Sequence, residues 1–225
     1  MRSVRCLAAA AGVLLALLTD ACAAADWELK VADGPADIQV YVRTTERGYP
    51  QFKGVTKIKS TLSAFVALFR DVDNMPNWAY RIREVRTLKR VSDAEVYAYT
   101  VNSLPFPLHD RDAIVRSILE QDSHTLKVTI KGSAVPDYVP RDDRYVRMPV
   151  VESFWSFTPL GGDIVEVVFQ GYGDPGGSLS SGIMAWFIQL SISEAPYYTL
   201  LNMHKMISRP EYQAAKYAFI KEAGP

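Results

Sequence analysis

Residues 163–207 read DIVEVVFQGYGDPGGSLSSGIMAWFIQLSISEAPYYTLLNMHKMI, and the order of patterns within them decides the fold. Asp163 to Tyr172 is rich in β-branched residues and reads as a strand. Asp174-Pro175-Gly176-Gly177 is a turn signal. A long helical region follows, from about Gly182 to Ile207. Its apolar residues, among them Ile183, Trp186, Ile188, Ile192, Tyr197, Leu200, Leu201 and Met203, occupy more than one stripe. A helix apolar on all sides is sunk in a core or lies over something apolar that is not a sheet. Pro196 has no N–H, so it is expected to kink or interrupt this helix.

Working back from that strand, the chain is mostly β. Runs at Ile82 to Val91, Glu95 to Asn102, Asp112 to Glu120, Thr125 to Ala134 and Tyr145 to Thr158 precede it. The bends between them are short, such as Ser92-Asp93, Gln121-Asp122-Ser123 and Gly161-Gly162. Short bends imply antiparallel neighbours, since parallel strands need a crossover of about a dozen residues or more. Earlier still, Trp27 to Asp33, Ile38 to Thr44 and Gln51 to Lys59 read as strands. Ser60 or Thr61 then caps a helix with Leu62, Phe65, Val66 and Phe69 on one face. Asp73-Asn74-Met75-Pro76-Asn77 ends it, and a shorter helical piece is expected from Pro210 to Lys221. The fold class is α+β: an antiparallel sheet with helices covering one face.

Residues 1–25 have the form of an export signal. Arg2 and Arg5 precede an apolar run from Cys6 to Leu18, and Ala21-Cys22-Ala23-Ala24-Ala25 offers cleavage after Ala23 or Ala25. The run is too short to span a bilayer, which takes roughly 20 residues. Both cysteines fall here, so a chain processed at either site has none, which excludes thiol catalysis and disulfides. Cys22 is an alternative lipid-modified terminus, although Thr19-Asp20-Ala21 lacks the leucine such processing favours. The expected location is the periplasm, with residues 26–225 as one domain. Lys plus Arg and Asp plus Glu are equal at 25 each, and there is no basic block, so no nucleic-acid partner is expected.

An ordered set of short motifs runs through the mature region. Trp27-Glu28-Leu29 leads to Ile38 through Arg43, then Phe52-Lys53-Gly54, then Asp71 and Trp78. Pro105-Phe106-Pro107 comes two residues before His109 and the pair Arg111-Asp112, with Asp174-Pro175-Gly176-Gly177 and Ala195-Pro196-Tyr197-Tyr198 later. In this order the chain resembles the START (steroidogenic acute regulatory protein-related lipid transfer) family across nearly all of residues 26–225. The resemblance implies a helix-grip fold, a curved antiparallel sheet around a hydrophobic tunnel closed by the C-terminal helix. It also implies a lipid or other hydrophobic small molecule as partner, transient membrane contact, and no cofactor.

Candidate polar groups for such a tunnel are Glu84, Tyr97 or Tyr99, Arg116, Gln170 and Tyr172, each equally readable as an ordinary sheet position. Trp78, Phe106 and Trp155 are candidate walls, and Trp186, Tyr197 and Leu201 candidate lid residues. The neighbours Phe154 and Trp155 face opposite ways. Arg111-Asp112 is either the tunnel edge or a surface ion pair pinning a turn. Some family members pair a buried acid, at the position of Glu84, with an arginine where this chain has Ser117. Arg116 is adjacent but alternation turns it the other way.

Gly171-Tyr172-Gly173-Asp174-Pro175-Gly176 fits a dinucleotide-loop pattern, but Pro175 removes a donor and no second strand with an acidic residue follows. Neither a G-x-S-x-G elbow nor a paired histidine motif occurs, and His109, His124 and His204 fall on separate elements. The expected function is therefore ligand binding and carriage without chemistry. The alternative is a cyclase- or hydrolase-type enzyme using the same cavity, and a weaker third reading is a partner-binding envelope protein.

Overall fold

The computed structural model describes residues 26–46, 49–177 and 181–224. The export segment expected over 1–25, with Cys22 and both cleavage sites, lies outside the described residues. The chain forms strands β1 (Glu28–Asp33), β2 (Ile38–Thr44) and β3 (Pro50–Lys59), then helix α1 (Leu62–Arg70) and a 3-10 turn (Val72–Asn77). Strands β4 (Ile82–Arg90), β5 (Glu95–Asn102), β6 (Arg111–Gln121), β7 (Val128–Ala134), β8 (Val146–Arg147), β9 (Val150–Gly161) and β10 (Ile164–Asp174) follow. Helices α2 (Ser181–Ile207) and α3 (Pro210–Gln213) close the order.

The strands make one sheet in the order β1-β2-β3-β10-β9-β7-β6-β5-β4, so the first and second halves of the chain meet where β3 pairs with β10. Every pairing along this path is antiparallel, as the short bends require. The exception is the two-residue strand β8, which pairs parallel with β6 at Arg111 and Asp112. The single strand expected from Tyr145 to Thr158 is thus two. Met148-Pro149 separates them, and proline cannot donate to a ladder.

Both longer helices pack on one face of the sheet. Thr61 caps α1, its Oγ1 accepting from Ala64 N at 3.2 Å, and the Glu222 carboxylate accepts from Leu62 N and Ser63 N at 2.9 and 2.8 Å. These contacts satisfy three of the helix's free N–H groups. Phe65 stacks on Phe157 of β9 with ring centroids 4.6 Å apart. Leu62, Phe65, Leu68, Trp78, Leu200, Met203 and Ile207 are buried in the same core. The helical piece expected to reach Lys221 stops at Gln213, and Tyr212 there donates its hydroxyl to Asp71 at 2.6 Å.

Helix α2 is not interrupted at Pro196. The proline forfeits one ladder bond, while Pro196 itself and the following Thr199, Leu200 and Met203 are buried. Gly54 of β3 makes this seat possible. A Cβ there would lie 2.7 Å from Leu200 Cδ1 and 3.3 Å from Pro196 Cβ, so the helix rests directly on bare backbone. Upstream, Gly176 and Gly177 take φ of 64° and 80°, turning the chain from β10 toward α2.

Candidate functional site

Between the sheet and α2 lies a cavity of about 410 Å³. Alternation along the strands fixes which side chains face it. On β5 these are Thr100 and Asn102; on β6, Ala113, Val115 and Ser117; on β9, Val151, Ser153 and Trp155. Phe69 of α1, Trp78, Ile130 of β7 and Phe169 of β10 add apolar wall, and Ile188, Ile192 and Ala195 of α2 form the roof. Trp155 stacks on Phe169 at 3.8 Å between centroids, and Phe69 meets both Trp78 and Trp155 edge to face.

Among the described residues no Lys, Arg, Asp, His or Cys lines this cavity, and Glu152 is the one acidic residue along its wall, with its carboxylate turned outward. That carboxylate accepts from Ser133 Oγ at 2.8 Å in an exposed bond, on the far side of the sheet from Ser153. The space is therefore apolar with a few hydroxyls and one amide.

The sequence candidates divide by the same alternation. Trp78 and Trp155 line the cavity, Phe154 takes the face opposite Trp155, and Tyr172 is on the cavity wall but has the strand parity of Gln170 rather than of Phe169. Tyr97 and Tyr99 stand on the opposite face of β5 from Thr100. Tyr97 stacks on Tyr138 at 4.5 Å, and Tyr99 is buried with Val101 and Ile114 in a second, smaller cluster. Burial and the neighbouring Asp112 carboxylate raise the Tyr99 phenol above its ordinary range. Arg116, likewise turned away, pairs with Glu95 at 2.7 Å. Gln170 is opposite Phe169 in facing.

Glu84 has the spacing from Ile82 to face inward, but a bulge between the two resets the alternation. It is exposed and lies 3.8 Å from Arg86. Phe106 is 95% exposed at the tip of the β5–β6 connection. On α2, Trp186 is 55% exposed, Tyr197 donates to Asp33 at 2.7 Å, and Leu201 packs on the core; the roof is made by Ile188 and Ile192 instead.

Arg111 and Asp112 are both buried and do not pair with each other. Arg111 Nε donates to Pro175 O at 3.2 Å and Nη1 to His109 O, tying the start of β6 to the turn that leads into α2. Asp112 instead accepts two bonds from Arg147, at 3.0 and 2.8 Å, in a pair whose side chains are 1% and 2% exposed. Arg147 also donates to the carbonyls of Pro136, Val139 and Pro140. This arginine was invisible in the sequence, where it sits 35 residues from its partner among ordinary loop charges. It pins the 136–147 segment over the outer cluster of Tyr99, Val101 and Ile114.

A second fixed point lies at the rim beneath α2. Tyr80 N donates to Thr199 Oγ1 at 3.1 Å, Tyr80 Oη to Glu194 at 3.1 Å, and Asn202 Nδ2 to Trp78 O at 3.4 Å. The C-terminal half of the roof helix is thereby bound to residues 78–80. Among the described residues no helix is long and apolar enough to cross a membrane.

A curved antiparallel sheet gripping a long C-terminal helix around an apolar cavity defines the helix-grip class. A STAR-related lipid transfer protein from Xanthomonas axonopodis shares it with a TM-score of 0.72 at 29% identity, covering 81% of this chain and 99% of that one. Human StAR-related lipid transfer protein 5 matches with a TM-score of 0.64 at 14% identity, over 80% of this chain and 87% of that one. An uncharacterized protein of Pseudomonas aeruginosa is 29% identical over 182 residues, 80% of this chain and 86% of that protein. No family model matches the chain. The chain thus has the helix-grip fold of STAR-related lipid transfer (START) domains, the bacterial one from Xanthomonas among them.

Proposed function

We propose that this protein takes one lipid, or a similarly apolar small molecule, into the cavity beneath α2 and carries it within the bacterial envelope. The observation that carries the reading is the cavity itself: about 410 Å³, within the range of ligand pockets, and walled by Trp78, Trp155, Phe169, Ile130, Ile188 and Ile192. Exposing apolar carbon to water costs about 0.8 kcal/mol per CH₂, so moving a sixteen-carbon chain through water unprotected costs roughly 12 kcal/mol. Enclosure removes that cost. The likeness to the Xanthomonas STAR-related lipid transfer protein supports the same assignment. The pattern of residues 1–25 supports export, and Trp186, exposed on the N-terminal part of α2, supports contact with a membrane during exchange.

The test is transfer between vesicles. Donor vesicles carrying fluorescent phospholipid, acylglycerol or sterol are mixed with unlabelled acceptors and increasing protein. Transfer that rises with protein for at least one lipid class is expected. A rate indistinguishable from the protein-free rate for all three would contradict carriage.

A further inference from the structure

The cavity contains one arrangement that an apolar container does not need. Ser117 of β6, Gly132 of β7 and Ser153 of β9 are direct cross-strand neighbours, forming one rung of the sheet. Gly171 of β10 continues the rung beyond Ser153. Both serines line the cavity, and the residue between them has no side chain. The position a Cβ would take on Gly132 lies 2.5 Å from Ser153 Oγ and 3.6 Å from Ser117 Oγ. Two hydroxyls thus flank a notch floored by backbone. Neither is bonded to another side chain or to backbone among the described residues, nor is the Asn102 side chain on the same wall. Polar groups inside an apolar wall are costly unless something bonds to them, and these three are partly buried but still reachable from the cavity.

We infer that the Ser117–Gly132–Ser153 rung is the polar subsite of the cavity and that it takes an uncharged oxygen of the ligand, a hydroxyl or carbonyl, in place of a phosphate or other ionised head. The inference rests on the reading that the cavity holds an apolar ligand, and it specifies that ligand's chemistry. Serine hydroxyls donate and accept, so they match an alcohol or a carbonyl equally. An anion is disfavoured because no cationic side chain among the described residues lines the cavity, and a buried charge without a counter-charge is strongly penalised. Arg111, buried beside the turn before α2, is not among the cavity's lining residues and directs Nε and Nη1 to the carbonyls of Pro175 and His109. The absence of a side chain at Gly132 supplies the room. An alanine there would press its methyl onto Ser153 Oγ and Val115 Cγ1, at 2.5 and 3.0 Å.

The experiment is displacement of the uncharged dye N-phenyl-1-naphthylamine from the full chain by 1-dodecanol, dodecane and dodecyl phosphate. It is run on the unaltered protein and on Ser117→Ala, Ser153→Ala and the double variant, with thermal melting as a check of folding. Dodecanol is expected to bind at least tenfold more tightly than dodecyl phosphate. The double variant should lose about tenfold in dodecanol affinity, the scale of one or two neutral hydrogen bonds, with dodecane unchanged. Gly132→Ala should weaken dodecanol more than dodecane. If dodecanol and dodecane both bind but the serine variants alter neither, the polar subsite is wrong and the carrier reading stands. Tighter binding of dodecyl phosphate overturns the neutral-head assignment alone. If no dodecyl compound displaces the dye, the cavity does not hold apolar ligands and both readings fall.

Discussion

Asp112 and Arg147 form a two-point ion pair, 2.8 and 3.0 Å long, with almost none of either side chain exposed to water. The pair sits on the face of β6 away from the cavity and joins the sheet to the 136–147 segment through three carbonyls. Removing one partner leaves the other charge buried and unpaired. Asp112→Ala is therefore expected to lower stability by about 3–5 kcal/mol, measured by urea denaturation. A double variant, Asp112→Leu with Arg147→Met, should recover much of that loss. A double variant no more stable than Asp112→Ala would contradict this account of the pair.

Gly54 and Leu200 mark where the roof helix meets the sheet. Gly54→Ala places a methyl 2.7 Å from Leu200 Cδ1, an overlap that must be relieved by moving α2 or the leucine. A cost of about 1–3 kcal/mol is expected, the usual range for overpacking. Leu200→Ala in the same chain should remove the overlap, so the two changes together should cost less than their sum. Additive costs in a double-mutant cycle would show that the contact is not the source of the strain.

His204 of α2 shares a hydrogen bond of 2.8 Å with Thr56 of β3, and burial holds its imidazole below the ordinary value. As pH falls, the unfolded chain takes up the proton first. This part of the stability is thus complete above the ordinary histidine pKa of about 6.5 and declines as pH drops from there toward the lowered folded value. The nearby Asp37 carboxylate opposes the shift without reversing it. Between pH 7.5 and 5.5, His204→Gln should lose less stability than the unaltered protein. Parallel stability–pH curves for the two would contradict the buried-histidine account.

On α2, Ile188 and Ile192 face the cavity, whereas Trp186 is more than half exposed. Ile192→Asp should reduce retention of bound lipid by at least tenfold, since it sets a carboxylate into an apolar roof. Trp186→Asp should leave retention unchanged and slow exchange with vesicles. Equal loss of retention in both variants would place the roof elsewhere on the helix.

The hairpin order, the early helix and the long final helix were legible in the sequence because each rests on local signals: short polar bends, a capping threonine and an apolar run. The facing of individual side chains was less so. One bulge between Ile82 and Glu84 turns the glutamate out of the cavity, and no glycine among Ile82, Arg83 and Glu84 marks it. Tyr97, Tyr99, Arg116 and Gln170 have the chemistry a polar subsite needs, but alternation sets them on the outer face. Met148-Pro149 divides one expected strand into two, which the proline did signal. Ser117 stands where some START domains have an arginine, yet its partnership with Ser153 across Gly132 depends on the register of three strands distant in sequence.

Native mass spectrometry of the protein purified from a bacterial envelope without detergent tests the central claim most directly. A single added mass per chain that fragments as a lipid is expected, and it should be lost in Ile192→Asp. A bare protein mass that persists after incubation with mixed phospholipid, acylglycerol and sterol vesicles would contradict it.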